Sequence, residues 1–506
     1  MVRLDGKSLT IEDVAGIARD GSDVGLTPAA RSAVEACARF LSDLISEGRP
    51  IYGITTGFGA LDNLAVSPEH NRALQHNLLK SHAAGTGRPM ADDTVRAMMA
   101  IRANVLASGA TGVSSATLDA LIAMLNAHAT PHVPEQGSVG ACGDLAPLAH
   151  MALPLIGLGS VSVNGGPFQP GRQAMENAGI ELPPVEGRDG IALINGTEQT
   201  TGIGCLALHD ARRLVRISEA VASLTMEALG ALDDSFDRRV ALWKPHPGQI
   251  ATSEALAAFA KDSRAVLPPR PSRMRDALSL RCIPQVLGAT RDAIEHAAEA
   301  MEIEINAVND NPLFGVADGF VTSNSGNFHG QRAAEALDYA ANSITSLAVM
   351  SERRSARLID PNHNGGLPAF LIHPDAAAGA NSGFMIAQYT AAALVAELRM
   401  RAIPGAIQSI PTSANTEDHV PMAPLSARRA AFAVDNAWTV VSIEALLAVQ
   451  ALDLRGIGPA PALARLREAI RDVVPTMIDD RVISEDISAL RHVLLTLDLP
   501  AQLSVH

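Results

Sequence analysis

The sequence predicts a mainly α fold, with an α-rich N-terminal globular domain that carries a few short strands and a long helical bundle after it. Long segments in the second part of the chain place apolar residues at helical spacing. Several of them exceed the length of an average globular helix and are apolar on nearly every face, which indicates burial inside a bundle or between subunits. Glycine- and proline-rich interruptions in the first part favour loops and short strands. We place the boundary so that the domains are 1–198 and 199–506.

The elements of the N-terminal domain each have a local signal. Residues 1–25 favour one or two short strands and a helix. Thr27 can cap a second helix in which Pro28 takes the first position and Gly48 follows the end. Residues 151–190 favour turns and short strands. Further helices are predicted from Ser67 to His82 and over residues 91–108 and 114–128.

The bundle is predicted from six helical patterns, at residues 200–231, 285–307, 330–357, 376–402, 426–453 and 459–473. Polar segments lie at helix ends, at residues 195–197, 276–282, 306–312, 326–329 and 415–419. Each one alone is typical of a helix cap, but buried groups of this kind must be satisfied or used. Together with a glycine-punctuated loop around Tyr52, one of only three tyrosines, they indicate a functional site.

The composition disfavours several classes of partner. A formal net charge of −14 argues against nucleic acid and anionic membranes, and an aromatic content of 3% argues against base stacking. The four cysteines are scattered without metal-ligand spacing. The N-terminus is too polar for a secretory segment, and no apolar run of membrane-spanning length is expected. These features predict a cytoplasmic protein with reduced thiols.

The stretch from Gly137 to His150 is the most unusual in the chain. Its first seven residues include three glycines, which leave the backbone free to adopt conformations that most side chains forbid. Because Gly143 has no Cβ, its backbone nitrogen can reach the Ala141 carbonyl. The alternative interpretation is a tight loop that carries a small, half-buried thiol at Cys142. This stretch by itself leaves both open.

This block resembles the signature of the histidine and aromatic amino-acid ammonia-lyases, whose usual core is Ala-Ser-Gly-Asp. The resemblance extends over about residues 5–500. It rests on further motifs in the family's order: Tyr52-Gly-Ile-Thr-Thr-Gly-Phe-Gly59, Leu193-Ile-Asn-Gly-Thr197, Ser279-Leu-Arg281, Asn309-Asp-Asn-Pro312, Gly326-Asn-Phe-His329, Ser351-Glu-Arg-Arg354, Asn381-Ser-Gly-Phe-Met385 and Glu417-Asp-His-Val420.

The resemblance implies an electrophile that the chain makes from itself. In the family, an Ala-Ser-Gly backbone cyclises and loses water to leave a methylidene-imidazolone (MIO). Here Ala141, Cys142 and Gly143 would supply it, with cysteine losing sulfide where serine loses hydroxide. A free, unreacted Cys142 is the alternative. No metal and no dissociable coenzyme are expected.

The resemblance also implies the reaction and the residues that perform it. The α-amine of an amino acid would leave as ammonia after Tyr52 removes a β-proton, giving an α,β-unsaturated acid. An unperturbed tyrosine has a pKa of about 10, so this role needs a depressed pKa or a positive field. Arg281 would hold the substrate carboxylate as a bidentate fork, with amide donors from Asn195 and Asn311. Phe328 would pack beside the site.

The substrate implied by the resemblance is L-histidine or a close imidazole amino acid, with urocanate as the product. Ser81-His82 resembles the side-chain selectivity pair of histidine-specific members, and Glu417 matches a carboxylate expected near an imidazole. The alternatives are a helix-end histidine for His82 and a buried structural carboxylate for Glu417. A homotetramer with active sites shared among three subunits is also implied.

Three positions depart from the histidine-specific pattern. Leu278 stands where a tyrosine is expected, Arg275 where a glutamine is usual, and Thr416 where glutamine is common. The missing phenol removes a hydrogen-bonding group from a closed site. These departures keep two alternatives open: a lyase or 2,3-aminomutase that acts on another or modified aromatic amino acid, and a non-catalytic homologue.

Overall fold

The computed structural model describes residues 1–271 and 273–497, with only the backbone described at Ala60 and Pro68. In this part the protein is mainly helical, which confirms the predicted fold class. The first α-helices along the chain are Ile11–Arg19, Pro28–Ser46, Pro68–His82, Asp92–Ala107, Ser115–Asn126, Leu145–Ala152, Gly171–Asn177 and Asp189–Ile194. They continue with Glu198–Leu229, Arg238–Leu242, Pro247–Ala260, Leu278–Arg281, Ile283–Glu304, Gln331–Ile359, Met385–Met400, Ala423–Arg455, Pro461–Val473 and Ile483–Thr496.

The strands are short and form small sheets. Val2–Leu4 pairs in parallel with Val24–Leu26, and three antiparallel groups follow. These groups are Thr86–Pro89 with Pro134–Gln136, Ala129–Pro131 with Ser160–Val163 and Gln169–Pro170, and Leu313–Gly315 with Phe320–Thr322. Strands two to four residues long cannot form a core of their own, so they mainly fix the loops between helices.

The described residues form two compact units. The first unit comprises residues 1–209, 297–338 and 404–431, and the second comprises 210–296, 339–403 and the chain from residue 432 onward. Each unit is therefore built from stretches that are distant in sequence. The predicted division at 198/199 stays a prediction.

Local signals place the early helices well. Thr27 accepts a hydrogen bond from the Ala30 N–H, and Pro28 occupies the first turn, as the sequence predicts. The helix predicted over 376–402 is shorter in the structure, where it begins at Met385, because the residues before it form turns. Several further helices were not predicted, among them Gly171–Asn177, Pro247–Ala260 and Ile483–Thr496.

The helix Asp92–Ala107 forms the centre of the first unit. Every residue from Val95 to Ala107 is buried, including Arg96 and Arg102. A buried guanidinium must find acceptors inside the protein, since burial of an unpaired charge is very costly. In the second unit, Arg354 and Glu444 meet this requirement as a fully buried ion pair with an N–O distance of 2.6 Å.

One helix in the described ranges, Ala423–Arg455, is long and apolar enough to cross a membrane by length and composition. The expectation that no apolar run reaches that length is therefore wrong. In its most apolar 18-residue window, 83% of the residues are buried inside the protein. Such burial is typical of the core helix of a bundle.

Candidate active site

The Ala141-Cys142-Gly143 segment lies between the strand Pro134–Gln136 and the helix Leu145–Ala152, in the first unit. Gly143 has a φ of +71°, a conformation that favours glycine. A Cβ added there would lie 2.2 Å from the Gly196 carbonyl oxygen. The backbone around Gly143 is thus packed so closely that only glycine fits. The predicted approach of the Gly143 nitrogen to the Ala141 carbonyl stays a prediction.

Backbone hydrogen bonds hold this segment on both sides. The Met422 N–H donates to the Val139 carbonyl oxygen at 2.9 Å, and the Gly330 N–H donates to the Gly140 carbonyl oxygen at 3.1 Å. These partners come directly after two predicted polar segments, those around Glu417 and Phe328. The fold therefore brings two polar regions, far apart in sequence, to the backbone that precedes Ala141-Cys142-Gly143.

Asp144 anchors the far end of the same segment. Its N–H donates to the Gly196 carbonyl oxygen at 2.5 Å, and its carboxylate accepts hydrogen bonds from Ser138 Oγ and from the Thr200 N–H, each at 2.8 Å. Burial raises the pKa of Asp144 to about 7, although these hydrogen bonds oppose the rise. No role was predicted for Asp144, even though it directly follows the motif glycine.

The Tyr52 loop presents a half-buried phenol in the same unit. The Gly59 N–H donates to Tyr52 Oη at 2.9 Å, and the Tyr52 ring packs edge to face on Phe58 with centroids 6.1 Å apart. Gln75 and Asn71 hold the loop from the neighbouring helix by donating to the carbonyl oxygens of Gly53 and Ile54. The loop is therefore fixed through its backbone, and the phenol is oriented by one N–H.

The electrostatic surroundings of Tyr52 link it to the tripeptide. Burial raises the pKa of Tyr52, and the hydrogen bond from the Gly59 N–H opposes this rise. The nearby Cys142 and Glu417 raise the same pKa further through their negative charge in the ionised form. Within a single chain, these effects keep the Tyr52 phenol protonated at neutral pH.

Glu417 stands at the centre of the electrostatics of the candidate site. Its Oε2 accepts a hydrogen bond from Thr412 Oγ1 at 2.7 Å, and its carboxylate lies close enough to the Cys142 thiol to act on it electrostatically. Burial, together with this carboxylate, raises the pKa of the Cys142 thiol well above its usual range. The charge of Glu417 also favours the protonated form of His82, while burial acts more strongly and lowers the pKa of His82.

The tautomer of His82 follows from its backbone partner. His82 Nδ1 lies 2.9 Å from the Leu78 carbonyl oxygen, and a carbonyl can only accept. Nδ1 therefore carries the proton in the neutral ring, which leaves Nε2 as an acceptor. Both His82 and Glu417 thus offer acceptors in the first unit.

Asn195 and Asn311 are coupled to each other. Asn195 Nδ2 donates to the Asn311 carbonyl oxygen at 2.7 Å, while Asn195 Oδ1 is buried and has no hydrogen-bond partner among the described residues. The Asn311 amide donates to the Ser323 carbonyl oxygen at 3.0 Å and accepts from the Ser325 N–H at 3.1 Å. Asn311 therefore shapes the loop that leads to Phe328, and the orphaned oxygen of Asn195 is a polar group left open for a further contact.

Phe328 is half-buried at the end of that loop. The next residue, His329, stacks on His419 with ring centroids 5.8 Å apart, and its Nε2 lies 3.3 Å from the His419 carbonyl oxygen. This contact joins the loop of Phe328 to the loop of Glu417.

Arg281 belongs to the second unit, unlike the other candidate residues. It is exposed at the end of the short helix Leu278–Arg281, where it lines a cleft with Arg275 and Asp276. Leu278 is 61% exposed. The structure thus gathers the candidates Tyr52, His82, Ala141, Cys142, Gly143, Asn195, Asn311, Phe328 and Glu417 in one unit, and the predicted role of Arg281 stays a prediction.

A family model for aromatic amino acid lyases matches residues 9–472. The chain belongs to this family. It is 46% identical over 488 residues to the histidine ammonia-lyase of Symbiobacterium thermophilum, covering 96% of this chain and 95% of the relative. As a member, it is a carbon–nitrogen lyase, as predicted.

Solved structures of this lyase family share the fold. The histidine ammonia-lyase from Trypanosoma cruzi is 35% identical, with a TM-score of 0.90 and coverage of 97% of this chain and 92% of that one. The tyrosine aminomutase from Streptomyces globisporus is also 35% identical, with a TM-score of 0.93 and coverage of 98% and 96%. Lyases and aminomutases therefore share this architecture, and the fold alone does not separate their products.

Two further groups near the tripeptide of this lyase were missed from sequence. Asp144 gave a signal, because it lies inside the motif block. Arg102 gave none, because it lies in the interior of an apolar helix about forty residues before the motif, and only the tertiary fold brings it to Glu198 at 2.9 Å. Among the described residues, no group of three or more His, Cys, Asp or Glu side chains is placed to hold a metal ion.

Proposed function

We propose that this lyase eliminates ammonia from L-histidine, or a close imidazole amino acid, to give urocanate or its analogue through an MIO electrophile made from Ala141, Cys142 and Gly143. The observation that carries the proposal is the position of Glu417. Its carboxylate acts electrostatically on both the Cys142 thiol and His82, so it lies near each of them. An imidazole-binding carboxylate would therefore lie beside the reactive tripeptide.

The close packing at Gly143 supports the formation of this group, because the absence of a Cβ lets its nitrogen approach the Ala141 carbonyl. When formed, the group supplies an electron-poor alkene that accepts the substrate amine and makes it a better leaving group. Asn195 Oδ1, buried and without a partner among the described residues, is available to accept a hydrogen bond at this position. Asn311 orients Asn195 through its carbonyl oxygen.

Tyr52 is the base in this proposal, and its Oη takes the proton from the substrate β-carbon. The Gly59 N–H donates to Tyr52 Oη and so stabilises the phenolate form of Tyr52, which acts as the base. Burial and the charge of Glu417 oppose the phenolate. We also propose that the guanidinium of Arg281 binds the substrate carboxylate. Phe328 would exclude water from the reacting atoms.

Recognition of the substrate side chain follows from two acceptors. Neutral His82 offers Nε2, since its Nδ1 donates to Leu78, and Glu417 offers a carboxylate oxygen. An imidazole ring carries one N–H group when neutral and two when protonated, and these match such acceptors, whereas a phenyl ring carries none. Both residues are half-buried, and a site that removes its acceptors from water rejects a ligand that leaves them unpaired.

We further propose a homotetramer with active sites shared among three subunits. Support comes from large apolar side chains that the single chain exposes in the second unit, Ile386, Tyr389, Met400 and Ile403, each at least 53% exposed. Exposed apolar surface of this kind marks contacts between proteins. We also propose a cytoplasmic location, since none of the four cysteines forms a disulfide.

The proposal is tested by a substrate panel with purified protein. We expect L-histidine to give a rise in absorbance from the conjugated acid together with release of ammonia, and L-phenylalanine and L-tyrosine to react far more slowly. Turnover of either of these two, with none of any imidazole amino acid, would contradict the substrate assignment. An intact-mass spectrum on the same sample, with no loss of small molecules, would instead favour a non-catalytic homologue.

Glu417→Gln is expected to weaken the preference for histidine. It keeps an acceptor but removes the charge, so selectivity for L-histidine over L-phenylalanine in kcat/KM should fall roughly 10- to 100-fold, the range for a hydrogen bond to a charged group. Asp418→Asn is the matched control, because this neighbouring carboxylate is exposed. Equal selectivity in both variants would remove Glu417 from the recognition of the side chain.

A second candidate is an aminomutase or a lyase for a modified aromatic amino acid. It is favoured by Leu278, exposed where a phenol is expected, and by the 35% identity to a tyrosine aminomutase. A mutase would return a β-amino acid, so chiral analysis of the product separates the two. Ammonia and an unsaturated acid in equal amounts would exclude the mutase.

A further inference from the structure

Gly143 packs directly against the backbone of Gly196. The Gly196 carbonyl oxygen accepts the hydrogen bond from the Asp144 N–H, and it would be 2.2 Å from a Cβ at Gly143. Gly196 is equally crowded on its other side. A Cβ added there would lie 2.3 Å from Arg102 Nη1 and 2.4 Å from Glu198 Oε2. The tripeptide Ala141-Cys142-Gly143 therefore packs against Gly196, and Gly196 packs against the ion pair between Arg102 and Glu198.

The Arg102 side chain contacts several separate segments of the chain at once. Its Nη1 donates to Glu198 Oε1 at 2.9 Å and to the Asn309 carbonyl oxygen at 3.3 Å. Its Nε donates to the Ala192 carbonyl oxygen at 2.7 Å. The side chain is completely buried. Arg102 thus fixes the backbone on either side of Asn195 and the start of the segment that contains Asn311.

The geometry needs an arginine. Three acceptors in different directions match the planar fork of a guanidinium, whereas a lysine ammonium is a compact charge that cannot reach all of them in the same way. A second arginine, Arg188, binds Asp310 through two bonds of 2.7 Å and so takes up most of the charge of that carboxylate. Arg102 Nη2 makes only a longer contact of 3.5 Å with the same carboxylate, so the shorter bonds of Arg102 go to Glu198 and the Ala192 carbonyl oxygen.

We propose that Arg102 is a positioning residue for the cyclisation of Ala141-Cys142-Gly143. This inference rests on the proposed function, since it concerns how the electrophile is made. In the reaction the Gly143 nitrogen bonds to the Ala141 carbonyl carbon, and water leaves with the Ala141 oxygen and the amide hydrogens of Gly143 and Cys142. Hydrogen sulfide leaves with the sulfur of Cys142, its thiol hydrogen and its α-hydrogen. Nothing is oxidised or reduced.

Arg102 acts on this reaction only through Gly196. The nitrogen and the carbonyl carbon must be pressed together before they react, and a displacement of about 1 Å costs roughly 100-fold in rate for a reaction that depends on such proximity. Loss of the Arg102 guanidinium, which packs against Gly196, leaves Gly143 free to move away from the Ala141 carbonyl. The fold can survive this change while the cyclisation slows.

The test compares Arg102→Lys with Arg96→Lys. Arg96 lies on the same helix, is 5% exposed and donates to three backbone carbonyl oxygens, those of Ala18, Leu125 and Ile17, without reaching the tripeptide. Full-length proteins are purified at set times after synthesis and analysed by intact mass and thermal unfolding. We expect Arg102→Lys to be folded but to cyclise about 10- to 100-fold more slowly than Arg96→Lys.

A second pair keeps the test decisive if Arg102→Lys does not fold. Gly196→Ala retains both charges and places a methyl group against them, while Gly171→Ala places one 2.0 Å from the Leu158 carbonyl oxygen elsewhere in the first unit. Slow cyclisation in Gly196→Ala alone supports the inference. Folded Arg102→Lys or Gly196→Ala that cyclises as fast as its control overturns it. Wild-type protein that never loses water and hydrogen sulfide overturns the proposed function instead.

Discussion

Cys142→Ala is expected to abolish turnover of L-histidine, with kcat falling by at least about 10³-fold, the scale seen when a covalent catalytic group is deleted. An alanine methyl group has no β-substituent to eliminate, so the alkene cannot form. The raised pKa of Cys142 means that its thiol is neutral at pH 7, and the replacement therefore removes no charge from the site. The fold should be retained, and the loss should appear in kcat alone.

Cys142→Ser is the matched control for this variant. Serine keeps a β-leaving group and is close to cysteine in size, so we expect it to cyclise and to turn over substrate. Intact mass separates the three proteins: the wild type loses water and hydrogen sulfide, Cys142→Ser loses two waters, and Cys142→Ala loses neither. Turnover by Cys142→Ala at the wild-type rate would show that the reaction needs no electrophile from this tripeptide.

The sequence was sufficient for features that depend on short-range chemistry. A cap followed by proline predicts the helix that begins at Pro28, and apolar spacing predicts the long helices. The sequence singles out Gly143 for its missing Cβ, and the structure shows that a Cβ there would meet the Gly196 carbonyl oxygen. Local pattern and tertiary packing agree at these positions because both depend on side-chain size.

Contacts between residues that are far apart in sequence could not be predicted from the sequence. Arg102 reads as one charge in an apolar helix, and its partners Ala192, Glu198 and Asn309 are about 90 to 200 residues away. The helix predicted from residue 376 fails for a related reason. Its first residues are alanine-rich and favour a helix, but Gly383 adopts a φ of +60° against the Phe370 carbonyl oxygen, and the helix begins only at Met385.

Tyr52→Phe is expected to lower kcat roughly 10²- to 10⁴-fold, the usual contribution of a positioned general base. Phenylalanine keeps the edge-to-face packing on Phe58 and loses only Oη, which accepts the Gly59 N–H. Cyclisation should be unaffected, so the variant should have the wild-type intact mass. Tyr339→Phe, at a 51% exposed tyrosine of the second unit, is the control and should retain full activity. An equal rate in both variants would exclude Tyr52 as the base.

The pH profile of the wild type distinguishes a base from a merely oriented phenol. Because burial and the charge of Glu417 raise the pKa of Tyr52, the phenolate fraction increases with pH, and kcat/KM should rise about tenfold per pH unit below that pKa. Glu417→Gln removes one of the charges that raise the pKa, so the rise should shift to lower pH in this variant. Tyr52→Phe should lose the rise altogether. A profile that keeps its alkaline limb in Tyr52→Phe would assign the proton transfer to another group.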